Sequence, residues 1–129
     1  MFTVSRNRDS QRIMSKNFLS INDQLHMGQF LMSNNGKYKA IFQDDGNFVV
    51  YACASSPHKA VWATGTNGSD AARVIMQADG NLVMYNQCDQ AKWSSGTHIK
   101  GSCDMCRLEL TDGGKLKLTR TVTQKVWSS

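Results

Sequence analysis

The stretch Gln43-Asp44-Asp45-Gly46-Asn47-Phe48-Val49-Val50-Tyr51 returns thirty-four residues later as Gln77-Ala78-Asp79-Gly80-Asn81-Leu82-Val83-Met84-Tyr85. A period of this size marks a chain built from copies of one supersecondary unit, none of which can bury its apolar face alone. A weaker third copy, Leu110-Thr111-Asp112-Gly113-Gly114-Lys115-Leu116-Lys117-Leu118, aligns on Asp112 and on the flanking alternation. A tryptophan follows each copy after a variable loop: Trp62, Trp93 and Trp127.

The local pattern is that of strands. No segment shows apolar residues at helical spacing over eleven or more positions, whereas short β-rich runs bounded by turn signals dominate. Asp45-Gly46 and Asp79-Gly80 are hairpin signals, because glycine readily takes the positive φ that tight turns demand. Each motif therefore reads as a hairpin, with Gln43 closing the incoming arm, Asp45 at the turn, and Asn47, Val49 and Tyr51 sharing one face of the outgoing arm. Phe48 and Val50 then point to a core. Asn17 to Phe42, Lys59 to Thr64 and Gln90 to Ser95 supply further strands. The class is all-β, and the economical arrangement is three small sheets around a pseudo-threefold axis, each contributing an inward tryptophan. A sandwich or a propeller-like arrangement remains open at this point.

At 129 residues the chain has room for one domain with a real core. No apolar run approaches the roughly 20 residues of a membrane helix. Of the net charge of +5, a balance of +3 sits in the first sixteen residues, where Arg6, Arg8, Arg12 and Lys16 oppose only Asp9. Residues 1–16 are read as a flexible basic N-terminal extension and residues 17–129 as the domain. Between Arg6 and Lys16 no aromatic residue is interleaved to stack bases, so neither nucleic acid nor membrane insertion is expected. The extension lacks the apolar segment of a secretory signal peptide.

Four cysteines, Cys53, Cys88, Cys103 and Cys106, permit two disulfides in three connectivities. Structural bridges or free thiols are expected rather than a zinc site, since Cys103-x-x-Cys106 has no matching second pair. A bridge from Cys88 to Cys103 or Cys106 would brace the second motif against the third unit. His26, His58 and His98 are scattered, with no nucleophile near them in spacing, and read as surface residues. Asp44 and Asp45 are neighbours on one turn and cannot flank a glycosidic bond from opposite sides. No enzyme activity and no cofactor are expected.

What remains is a set of hydrogen-bonding side chains held on one strand face around a valine. That combination suits a ligand polar at its rim and apolar in its middle, which describes a sugar ring. The spacing Gln-x-Asp-x-Asn-x-Val-x-Tyr resembles the mannose-binding signature of the bulb-type lectins first known from monocot plants. It is intact at Gln43, Asp45, Asn47, Val49, Tyr51 and at Gln77, Asp79, Asn81, Val83, Tyr85. The likeness extends through Asn17-Phe18-Leu19, Leu25-x-x-Gly28-x-Phe30-Leu31 and the tryptophan segments, and so spans roughly residues 17–129. Ser33-Asn34-Asn35-Gly36 and Cys103-Asp104-Met105-Cys106 are most similar to the fish lily-type lectins of the pufflectin kind.

This resemblance implies a β-prism of three four-stranded sheets (β-prism II) that binds D-mannose and mannose-rich glycans without metal, as a homodimer or higher oligomer, in innate defence. It implies that Asp and Asn hold the sugar's O2, Gln its O3 and Tyr its O4, with Val against the ring carbons. Extracellular or mucosal location by a non-conventional route would follow, with the cytoplasm as the other possibility. Plant members commonly carry a disulfide-forming cysteine where Gly46 stands. In the third copy Leu110, Gly114, Leu116 and Leu118 replace Gln, Asn, Val and Tyr, which predicts a site that binds no sugar. The alternative function is a protein-interaction module on a lectin scaffold whose sugar sites are idle.

Overall fold

The computed structural model describes residues 16–101 and 103–121. All regular structure among them is strand: β1 (Phe18–Ser20), β2 (Gln24–His26), β3 (Phe30–Met32), β4 (Tyr38–Phe42), β5 (Phe48–Ala52), β6 (Lys59–Ala63), β7 (Ala71–Met76), β8 (Leu82–Asn86), β9 (Ala91–Ser94), β10 (Met105–Leu110) and β11 (Leu116–Thr121). They form three antiparallel sheets ordered β3-β4-β5-β6, β2-β7-β8-β9 and β1-β10-β11. The molecule is a β-prism. The third sheet shows three strands among the described residues, and the fourth strand expected around Trp127 lies outside them.

The 34-residue period governs the core. Ala40, Val74 and Leu108 occupy one position of the repeat, Phe42, Met76 and Leu110 the next, and all are at most 2% exposed. Phe48, Leu82 and Leu116 follow, then Val50, Met84 and Leu118, the last of each set being partly buried against the same cluster. The three short strands β1, β2 and β3 each present one buried leucine, Leu19, Leu25 and Leu31. Each thereby covers the edge of a different sheet, β1 on β10, β2 on β7 and β3 on β4. No single sheet could bury its apolar face; three facing one axis do.

Two expectations require correction. The third repeat is shifted by one residue from its alignment on Asp112. The Thr111 amide donates to the Lys115 carbonyl and the Gly114 amide to that of Thr111, as Gln43 does to Asn47 and Gly46 to Gln43. Gly114, with φ of +81°, is thus the counterpart of Gly46 and Gly80, both at +86°. Two adjacent glycines made the register ambiguous in sequence, and the turn's demand for one positive φ resolves it. Trp62, expected in the core, is 41% exposed. It lies on β6, an edge strand exposed throughout, where it meets Phe48 and Trp93 edge-on at 6.4 and 6.3 Å between ring centroids. With Tyr38, Val61 and Leu116 it lines a hollow of about 350 Å³. Trp93 is half-buried against the core.

The cysteines also pair differently. Cys103 is bridged to Cys106, while Cys53 and Cys88 are free thiols. Cys88 sits in the turn after β8, whereas Cys103 donates to Ala78 in the turn before it, so the length of that strand, about 17 Å, separates them. Met1 to Ser15 of the expected extension lie outside the described residues. Lys16, its last residue, belongs with the domain: its carbonyl accepts from the Met32 amide at 3.0 Å and its ammonium pairs with Asp23 at 3.4 Å.

One polar group is buried with a purpose. Asn86, 4% exposed, accepts at Oδ1 from the Cys88 and Gln90 amides, closing the β8–β9 turn, and its Nδ2 donates to Asp70 at 3.0 Å and to Gln90. The bond from Asn86, with Lys92 at 3.3 Å, holds the Asp70 carboxyl below its ordinary value of 3.8, overcoming the opposing effect of desolvation. A carboxyl depressed in the folded state contributes stability above its unfolded pKa and loses it as pH falls through the folded value. Asp70→Asn is therefore expected to lower the melting temperature at pH 7 and to have progressively less effect as the pH falls below about 4, which thermal melts across that range would read.

Candidate functional site

The two signature copies build the same constellation. Each hairpin turn begins with Asp45 or Asp79, whose Oδ1 accepts the amide of Asn47 at 2.9 Å or of Asn81 at 3.0 Å. This local bond fixes the carboxylate over the turn and leaves its second oxygen free. At the far end, Gln43 Nε2 donates to the Tyr51 hydroxyl and Gln77 Nε2 to that of Tyr85. Each glutamine keeps a free carbonyl oxygen, and each phenol keeps its own proton to donate. Val49 and Val83, both 3% exposed, lie between the two ends. They stand outside the central cluster, opposite Ile41 and Ile75, and form the apolar floor of each site.

The asparagines are oriented by residues the sequence reading did not single out. Asn47 Oδ1 accepts from Thr64 Oγ1 at 2.9 Å and from the Thr66 amide at 3.1 Å; Asn81 Oδ1 accepts from Ser95 Oγ at 3.0 Å and the Thr97 amide at 3.3 Å. A backbone N–H can only donate, so the atom facing it is the oxygen, and the amide NH2 is the group presented to a ligand. Thr66 and Thr97 in turn donate to the carbonyls of Gly46 and Gly80 at 2.6 Å. The signal was visible: Thr64-Gly65-Thr66 and Ser95-Gly96-Thr97 follow their tryptophans identically. Its role needed the fold, because these loops return to the hairpin tips from an edge strand.

Strand irregularity aims the tyrosines. The β5–β6 register shifts between Val50 and Tyr51, and the β8–β9 register between Met84 and Tyr85. A bulge at the same place in both copies turns the outgoing strand just where the phenol must swing toward the glutamine.

Backbone space is equally committed. A Cβ on Gly46 would meet the Ser69 carbonyl oxygen and Oγ at 2.6 Å, and φ there is +86°. Gly46→Ala is expected to cost roughly 1–3 kcal/mol. Gly36→Ala, at φ +73° but with open space, should cost less in the same chemical denaturation experiment.

The third copy departs at every signature position. In the corrected register Thr111, Gly113, Lys115, Lys117 and Thr119 stand for Gln, Asp, Asn, Val and Tyr, and Glu109 faces Lys117 where the other copies pair Ile with Val. The apolar floor has become a charged pair.

The first site opens on a hollow of about 450 Å³ lined by Gln43 and Tyr51 together with Lys39, Pro57 and His58. The chain is 53% identical over 113 residues, 88% of its length and 94% of the relative's, to the B-type lectin plumieribetin of Scorpaena plumieri. It belongs to the bulb-type lectin family. The lectin also shares 44% identity over 71 residues with a mannose-specific lectin of Narcissus pseudonarcissus, covering 54% of this chain and 60% of that one. Among solved structures it matches the mannose-specific agglutinin of snowdrop, Galanthus nivalis, complexed with methyl-alpha-D-mannoside, at a TM-score of 0.70 and 30% identity over 88% of this chain and 95% of that one. No family model matches. As a member of this family the lectin is a carbohydrate-binding protein of a non-enzymatic class.

Proposed function

We propose that this lectin binds mannose and mannose-bearing glycans at its two intact sites, Gln43, Asp45, Asn47, Val49, Tyr51 and Gln77, Asp79, Asn81, Val83, Tyr85. The observation that carries the reading is the duplicate set of unspent groups: in each copy an amide NH2, a carboxylate oxygen, a glutamine carbonyl and a phenol proton surround a valine floor. A site built to pair a sugar's hydroxyls penalises an epimer that leaves its buried groups unpaired more than a missing apolar contact would. The axial O2 of mannose, met by the Asp and Asn of the turn, is the hydroxyl that separates it from glucose. The third copy, with Lys117 facing Glu109 in place of the valine floor, binds no sugar in this manner.

Four polar partners at about 1 kcal/mol net each give roughly 4 kcal/mol, an affinity on the order of millimolar. Recognition of a glycan surface therefore uses both sites and an oligomer, through effective concentration, and serves defence against organisms that display mannose. Calorimetric or NMR titration with methyl α-D-mannoside should count two weak sites per chain, with the glucoside at least about tenfold weaker. A count of none, or no epimer preference, would remove the reading. The exposed Trp62 and Val61 on β6 favour a second reading, a protein-contact surface with idle sugar sites. Free mannose should displace a glycoprotein partner under the first reading and leave it bound under the second.

A further inference from the structure

The two sites are not copies of each other beyond the tyrosine. In the second site the cross-strand partner of Tyr85 is Arg73. Its guanidinium lies 5.0 Å over the phenol ring and is paired with Asp89 at 2.6 Å, so its charge is already satisfied. The β8–β9 connection beside it is four residues, Gln87 to Gln90. In the first site the equivalent partner of Tyr51 is Lys39. Its ammonium sits over the Phe30 ring, with Nζ 5.0 Å from the centroid, and no carboxylate lies within ion-pairing distance of it among the described residues. The β5–β6 connection is six residues, Cys53 to His58. It brings Ser56, Pro57 and His58 around the hollow that Lys39 shares with Gln43 and Tyr51.

The first site is therefore polarised. Asp44 and Asp45 stand at its turn end, exposed, and an ammonium with no carboxylate partner among the described residues stands at its tyrosine end. A single hexose against Val49 leaves the hollow beyond Tyr51 partly unfilled. We propose that the first site is an extended one that takes mannose bearing an anionic group, with Lys39 as counter-ion and Ser56 and His58 as further hydrogen-bonding partners, while the second site takes neutral mannose. This rests on the reading of both sites as mannose sites. The anion is a phosphate or sulfate on the sugar itself, or the carboxylate of an adjoining acidic sugar. All three present oxygen atoms to a cation, and the turn-end carboxylates repel them from the opposite end.

The test uses the full chain with the second site silenced by Asn81→Ala. Its affinities for methyl α-D-mannoside, mannose 6-phosphate, mannose 6-sulfate and a glucuronyl-mannose disaccharide are compared by NMR titration in about 0.05 M and about 0.5 M salt. At low salt at least one acidic ligand should bind about fivefold tighter than the neutral mannoside; which one it is assigns the source of the anion. The advantage should vanish at high salt and in Lys39→Met, persist in Lys39→Arg, and be absent from the Asn47→Ala chain, which keeps only the second site. An unchanged melting temperature of Lys39→Met shows that the variant is folded. Equal affinity for neutral and acidic ligands at the first site, or a preference that survives Lys39→Met, overturns the proposal while leaving the mannose reading intact. Failure of the Asn81→Ala chain to bind any of the four ligands overturns both.

Discussion

Replacing Asn47 and Asn81 together by alanine should abolish retention on a mannose-bearing matrix and reduce avidity for a multivalent glycoprotein by about a hundredfold or more. Each asparagine offers the ligand an NH2 whose partner oxygen is already held by Thr64 and Thr66, or by Ser95 and Thr97. Loss of one such donor costs on the order of 1–2 kcal/mol per site, about tenfold. Losing it at both sites multiplies the effect, since avidity depends on simultaneous engagement. Alanine also strips the supporting hydroxyls of their acceptor. Asn47→Asp with Asn81→Asp is the cleaner companion, keeping that acceptor while turning the donor into a second carboxylate beside Asp45 or Asp79. Both double variants should lose binding, and the aspartate pair should keep more of the wild-type melting temperature. Undiminished retention of either would mean that these residues are not the binding groups.

Phe42→Ala should be the most damaging single substitution for stability among those considered, at about 3–5 kcal/mol, a fall of roughly 15–25 °C in Tm for a domain of this size. Phe42 is fully buried, its backbone is fastened on both sides to Gln29 and Gly28, and its repeat partners Met76 and Leu110 fill the same layer. Trp62→Ala removes a larger side chain from a site that is 41% exposed, and should cost less, about 2 kcal/mol, because that exposed share gains nothing from folding. The pair of melts is decisive in order rather than size: if Trp62→Ala cost as much as Phe42→Ala, the ring would have to be buried in solution.

The tryptophans show where sequence reasoning fails. A large aromatic repeated after each copy looks like core, and Trp93 does pack there in part. Exposure depends on which strand lies at a sheet's edge, and strand order is a long-range property that no local pattern carries. The same holds for Cys88, which the loop's path past Ala78 keeps away from the bridged Cys103 and Cys106. Thr64, Thr66, Ser95 and Thr97 likewise were repeated motifs without a role until the return of the edge strands brought them against Asn47 and Asn81.

The bare sequence made the all-β class, the hairpin turns and the candidate site residues legible, because period-two alternation and the Asp-Gly turn act within a few residues of chain. It also determined the threefold layering of the core, since residues 34 apart must do equivalent work in equivalent units. The folded chain settled the register of the third copy, through Gly114, the member of the adjacent glycine pair with positive φ. It alone showed that Arg73 is neutralised by Asp89 while Lys39 stands beside an open hollow. Those features depend on which strands and loops meet across the fold, and such meetings are settled by packing between distant segments rather than by the conformational preferences of neighbouring residues.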